Sequence, residues 1–215
     1  MPEDRRNPHR LAAQGLACIR ADRLVFRHLA FGVDAGAVLR LTGPNGSGKS
    51  SLLRLLAGLG RAAAGAITWD GAPIGDEPEA HRARTVHVGH QDAVKPWMTA
   101  REHIDFWTAL AGARGDAVAA LDALGIARLA DVPGRFLSAG QRRRVALARA
   151  AAVPAELLLL DEPTVSLDAD GVAAVEALIG RHCGGGGIAV VATHVPLALP
   201  DVVDLTLDAA HAARS

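Results

Sequence analysis

The segment Val38-Leu39-Arg40-Leu41-Thr42 reads as a short apolar strand, and it runs straight into Gly43-Pro44-Asn45-Gly46-Ser47-Gly48-Lys49-Ser50. A helix-forming segment, Ser50 to Gly58, follows at once and ends on a glycine stop. A strand, a glycine-rich loop and a helix in that order constrain this chain more than any other stretch. The glycines let backbone N–H groups converge on an anion. The first helical turn adds its own unpaired N–H groups and the positive end of its dipole. The spacing G-x-x-x-x-G-K-[ST] between these flanks is that of a loop cradling the phosphates of a nucleoside triphosphate. Gly43 to Ser51 are therefore the expected nucleotide-binding set. Within it, Lys49 reaches the β- and γ-phosphates and the Ser50 hydroxyl binds Mg²⁺. The chain has only two lysines, Lys49 and Lys95, against 21 arginines. A lysine kept inside the loop implies that a compact ammonium is needed where a planar guanidinium is not equivalent.

A second segment carries chemistry. Leu157 to Leu160 is wholly apolar, as in a strand buried on both faces of a parallel sheet, and it ends in Asp161-Glu162-Pro163. Ligands bind at the carboxyl ends of parallel strands, so the acids are expected beside the phosphate loop. Asp161 is expected to hold Mg²⁺ through its water shell. Glu162 is expected to polarise the attacking water as general base.

The 215 residues suffice for one α/β domain with a sizeable core. Strand and helix segments alternate, with helical spacing concentrated between residues 92 and 150. The expectation is a mostly parallel sheet with flanking helices and an inserted helical subdomain at about 92–150. Residues 1–10 read as a flexible tail and 11–215 as a single domain. Further strands are expected at 65–69, 85–89 and 188–192, and helices at 141–152 and 172–179. The formal net charge is zero, which argues against a nucleic-acid partner. The run Arg142-Arg143-Arg144 is read as a solvated helix face. Cys18 and Cys183 are too few for a disulfide framework and read as structural residues in a reduced setting. His87 and His90 have no metal-ligand spacing. No stretch is long and apolar enough to span a membrane, so a membrane role must run through a partner.

With the loop and the acids in place, five further features give a family resemblance. The order of motifs resembles an ABC-transporter ATPase. Gln91 resembles the glutamine that contacts Mg²⁺ and water and links the core to the helical subdomain. Leu137-Ser138-Ala139-Gly140-Gln141 resembles the signature segment, with Ala139 where glycine is commoner. Ser166-Leu167-Asp168 resembles the loop that follows the acids. His194, after the strand at 188–192, resembles the histidine that contacts the γ-phosphate and orients the water. The short length, without a C-terminal regulatory domain, fits as well. The resemblance covers about residues 11–207.

The resemblance implies a P-loop NTPase core with an antiparallel β edge, ATP and Mg²⁺ as ligands, and Glu162, His194 and Gln91 as catalytic residues. It implies Ser50, Gln91 and Asp161 around the metal. Ser138, Gly140 and Gln141 would face the γ-phosphate of an ATP held by a second copy of the chain. Integral-membrane permease subunits are the other implied partners, at the cytoplasmic face of a bacterial inner membrane. Many members stack an aromatic on adenine about twenty residues before the loop, and here that position falls near Arg20. Within the family, Gly89-His90-Gln91, Lys95, Met98 to Glu102, Leu137 to Arg149 and Thr193 to Leu197 resemble the haem exporter ATPases of cytochrome c biogenesis. Those couple ATP hydrolysis to haem export, or to release of haem to a periplasmic chaperone. An exporter ATPase for a lipid, lipoprotein or peptide is the alternative.

Overall fold

The structure is a computed structural model, and it describes residues 9–199 and 201–207. Two sheets form the body. The first is antiparallel, in the order β2 (Arg23–Val33), β1 (Leu11–Arg20), β4 (Ala64–Trp69), β5 (Ala72–Pro73). The second is parallel, in the order β6 (Thr85–Val88), β7 (Leu157–Asp161), β8 (Ile188–Ala192), β3 (Val38–Thr42), β9 (Val202–Thr206).

The apolar runs in β7 and β8 explain themselves once the two cores are separated. Leu158, Leu160, Ala189 and Val191 face a core shared with the helical subdomain. Leu157, Leu159, Ile188 and Val190 face the opposite core, shared with α1 (Lys49–Leu56) and the antiparallel sheet. A strand covered on both sides has no polar face, so the alternation expected of a half-exposed strand vanishes. Helix α1 thus lies between the two sheets, buried through Leu52, Leu53, Leu55 and Leu56.

The insertion holds α3 (Ala100–Leu110), α4 (Ala117–Asp122) and α5 (Ala139–Ala152). Each begins at a side-chain cap: Thr99, Asp116 and Ser138 accept from backbone N–H groups of the first turn. Ser138 with Gln141, and Thr99 with Glu102, form reciprocal capping boxes. Helix α5 therefore starts at Ala139 rather than Gln141. Helix α6 (Ala169–Gly184) is longer than the expected 172–179, because Asp168 caps it and the helix runs into the first of the four glycines. Neither α2 (Pro78–Ala83) nor β9 was expected. Six residues behind Pro78 and a short edge strand carry too little periodicity to read.

His9 and Arg10, placed in the tail by sequence, are paired: His9 with Asp34, Arg10 with Glu156. Arg10 and Arg84 also lie over the Trp69 ring. Residues 1–8 lie outside the described residues. Cys18 and Cys183 are buried free thiols whose pKa burial pushes up, as befits structural residues. No described helix is long and apolar enough to cross a membrane.

Candidate functional site

The strand order decides where the candidate residues meet. β8 lies between β7 and β3, and all run parallel, so their carboxyl ends share one edge. Beyond β3 comes the glycine loop, beyond β7 the segment from Glu162, beyond β8 Thr193 and His194, and beyond β6 His90 and Gln91.

Gly48 opens α1 at φ 104° with no side-chain cap. A Cβ on it would stand 2.5 Å from Cγ1 of Val25, so only glycine fits between the loop and β2. The uncapped turn leaves its N–H groups to a ligand. Lys49 is buried, and its Nζ donates to the carbonyls of Gly43 (2.7 Å) and Pro44 (3.2 Å). Nζ also lies 3.2 Å from Nε2 of His194. That nitrogen is 3.0 Å from Oδ1 of Asn45 and 3.4 Å from Oε1 of Glu162. One imidazole thus ties the loop to the acid after β7. The nitrogen faces an ammonium donor and two oxygen acceptors, so its lone pair or its proton can serve one side at a time.

Asp161 is 5% exposed at the last position of β7. Glu162 adopts φ +47°, a conformation non-glycine residues rarely take, and its N–H donates to the Ala192 carbonyl. A strained residue at a strand end, its carboxylate turned toward the loop, marks a site built for geometry. Asn45, Gly46, Gly48, Lys49, Ser50, Ser51, His90, Asp161 and Glu162 line one cleft of about 430 Å³ with Val25. Gln91 is exposed and does not line it; its neighbour His90 does. Arg20 is exposed at the end of β1, and the wall nearest the loop is Val25 instead.

A second cleft of about 360 Å³ holds Ser138, Gly140, Gln141, Ser166 and Asp168. It shares no lining residue with the first. The side chains of Ser138 and Gln141 are engaged in their capping box, which leaves the Ser138 hydroxyl proton free to donate outward.

Three features escaped the sequence. Asn45 reaches His194, which does not itself line the cleft. His90, rather than Gln91, lines the cleft. The Arg142-Arg143-Arg144 run is not a solvated face. Arg143 is 4% exposed and bonded to the backbone behind the acids. Arg142 donates to the Leu137 carbonyl, and Arg144 to the Leu124 carbonyl and the Asp168 carboxylate. These arginines sit where orphaned carbonyls need donors, and three consecutive charges in sequence say nothing of that.

The model of the ABC transporter family matches residues 26–165. The chain belongs to the ABC-transporter family of ATP-binding proteins. It is 51% identical over 202 residues to a cytochrome c biogenesis ATP-binding export protein, CcmA, of Rhodospirillum rubrum, covering 94% of this chain and 87% of that one. The protein of the same name in Paramagnetospirillum magneticum is 48% identical, covering 92% and 93%. The fold matches a putative ABC transporter ATP-binding protein from Pyrococcus furiosus with a TM-score of 0.80 at 25% identity, over 92% of this chain and 96% of that one. It also matches a dimeric ATP-binding cassette in a post-hydrolysis state bound to ADP and Pi, with a TM-score of 0.74 over 86% and 88%. An ABC ATPase binds and hydrolyses ATP.

Proposed function

We propose that this chain is the ATP-hydrolysing subunit of a cytochrome c biogenesis complex, coupling turnover to haem export or to release of haem to its periplasmic chaperone. The observation that carries the enzymatic part is that Lys49, Asn45 and Glu162 line one cleft and all approach the His194 imidazole beside it. The relatives at 51% and 48% identity over more than nine-tenths of the chain support the haem-related part.

In this reading the triphosphate lies on the N–H groups of the loop and α1, with Lys49 neutralising the outer phosphates. Glu162 accepts the proton of the attacking water as it adds in line to the γ-phosphorus and the bond to the β–γ bridging oxygen breaks, so that ADP leaves. His194 fixes the γ-phosphate and that water through Nε2. Ser50 and Asp161 line the cleft and offer hydroxyl and carboxylate oxygens, the hard donors that Mg²⁺ takes, and Gln91 would add its amide oxygen only by turning into the cleft. When bound, the ion offsets phosphate charge.

The two clefts without a shared residue support a head-to-tail pair. Ser138, Gly140 and Gln141 of one copy complete the site around the ATP of the other. The positive end of α5 favours a phosphate there. An apolar groove of about 720 Å³, walled by Leu59, Trp107, Leu110 and Val153, supports docking of integral-membrane permease subunits at the cytoplasmic face of the inner membrane.

Glu162→Gln tests the chemistry. Phosphate release should stop while an ATP-bound dimer accumulates on size-exclusion chromatography. Turnover at the normal rate in that variant would end the general-base assignment. Deleting the gene in its host should remove holo-cytochromes c, and normal levels in the deletion strain would reject the haem reading alone.

A further inference from the structure

The guanidinium of Arg143 is heavily bonded and buried outside the cleft. It reaches from α5 to the back of β7. Nη2 donates to the carbonyls of Asp161 (2.5 Å) and Glu162 (3.0 Å). Nη1 donates to the carbonyl of Gly89 (2.9 Å) and to Oδ1 of Asp92 (3.1 Å). Nε points to the carbonyl of Pro163 at 3.4 Å. A guanidinium has five N–H donors in a rigid fork, and here each has an acceptor. Asp92 supplies the countercharge that a buried cation needs.

The acceptors fall in two groups. One is the main chain of the acidic segment, including the carbonyls of both acids. The other is the pair of residues flanking His90 and Gln91. The left-handed conformation of Glu162 is part of the arrangement. Helical-type backbone of either hand turns successive carbonyls to one side, whereas extended backbone alternates them. The φ of +47° at Glu162 thus aims the Asp161 and Glu162 carbonyls together at Arg143. The bonds from Arg143 and the Glu162 N–H bond to Ala192 hold a backbone conformation that non-glycine residues rarely take.

We propose that Arg143 is a positioning residue for hydrolysis, holding the Glu162 carboxylate and the Gln91 segment in fixed relation to each other. It stands on the same helix as Ser138 and Gly140, at whose start the second copy's phosphate would bind. A shift of α5 on that contact moves Arg143, and with it the base of this chain's own site. The inference rests on Glu162 acting as the base. No shorter or single-headed side chain can replace the fork. The lysine ammonium has three donors at one point and cannot span both segments.

The test uses the full-length chain in the complex that co-purifies with it. Arg143→Lys should lower kcat at least about tenfold while KM for ATP stays within about threefold, as expected for a base displaced by a fraction of its reach. The slow single-turnover rate left in Glu162→Gln should not fall further when Arg143→Lys is added, because both act through the same carboxylate. A role confined to folding would multiply the losses instead. Should Arg143→Lys fail to fold, Asp92→Ala removes one acceptor only. It should lower kcat severalfold in protein that still folds, with a lower melting temperature because Arg143 loses its countercharge. Wild-type kcat in Arg143→Lys, or in Asp92→Ala where the first does not fold, overturns the inference, as does full additivity with Glu162→Gln. Full turnover in Glu162→Gln itself rejects the base assignment. An inactive Glu162→Gln beside a fully active Arg143→Lys rejects the positioning role alone.

Discussion

The Nε2 atom of His194 lies 3.2 Å from Nζ of Lys49, so the end of β8 and the phosphate loop meet through their side chains rather than their backbones. The same nitrogen approaches Glu162, which makes His194 the shared neighbour of the loop lysine and the acid.

Removing that neighbour separates binding from chemistry. In His194→Ala, Lys49 keeps its two bonds to the Gly43 and Pro44 carbonyls and stays in the loop. ATP affinity, measured by fluorescent-nucleotide titration, should change less than about threefold, the scale of losing one modest hydrogen bond. Glu162 loses its partner and the water its second contact, so kcat should fall about a hundredfold or more. Equal losses in affinity and kcat would mean that His194 serves only to hold the loop.

Lys49→Arg should fail for a different reason. Lys49 is 7% exposed and lies among loop carbonyls, His194 and the uncapped start of α1. A guanidinium keeps the charge but is planar and larger than that space. ATP affinity should drop at least about tenfold in titration. Unchanged affinity would show that charge alone matters at this position.

These residues were legible before the structure because their chemistry is local. The loop needs glycines at fixed offsets, and the acids end a run of leucines that only a doubly covered strand explains. Arg143 was not legible. Its partners lie at residues 89–92 and 161–163, distant along the chain, and a basic triplet has the same sequence whether it faces water or carbonyls. The adenine position shows the same limit. Counting back from the loop reaches Arg20, yet β1 ends there in an exposed hairpin and Val25 of β2 lines the cleft. Helix α2 and strand β9 were missed because six and five residues carry no readable period.

His103 gives a pH dependence of stability. It is 3% exposed, and burial first, then the cations of Arg149 and Lys95, lower its pKa to about 4. The indole N–H of Trp107, which can only donate, points at its Nε2, so the ring is neutral there and accepts. The folded pKa lies below the unfolded value of about 6.5. The unfolded chain therefore binds the proton first, and the stabilisation is full above pH 6.5 and lost as pH falls toward 4. Roughly 3 kcal/mol is at stake at this residue. His81, His87 and His182 are lowered with the same sign, each by burial first. Urea unfolding from pH 7 to 4.5 should show falling stability, and His103→Gln, which keeps an acceptor for Trp107, should flatten part of the slope. An unchanged slope in that variant would place the proton uptake elsewhere.

Gly140 and Ala139 stand side by side at the start of α5, yet they should respond oppositely to a methyl group. A Cβ on Gly140 would stand 2.5 Å from the carbonyl oxygen of Ser166, a contact that backbone must move to relieve. The obstacle is steric and not conformational, because Gly140 has no left-handed φ. Ser166 lies in the segment that leaves Glu162, linked to it by the Val165 N–H bond to the Glu162 carbonyl and ending at the Asp168 cap of α6. Gly140→Ala should therefore push that segment from α5, at a cost of about 1–3 kcal/mol in stability. It should also cut kcat at least about tenfold by displacing the acid beside it. Ala139 is exposed, and Ala139→Gly removes only a solvated methyl, with at most about 1 kcal/mol lost in helix propensity and turnover within about twofold. Thermal unfolding and steady-state ATP hydrolysis on the two variants separate the cases. Wild-type kcat in a folded Gly140→Ala protein would mean that the approach of Ser166 to α5 does not govern the position of Glu162.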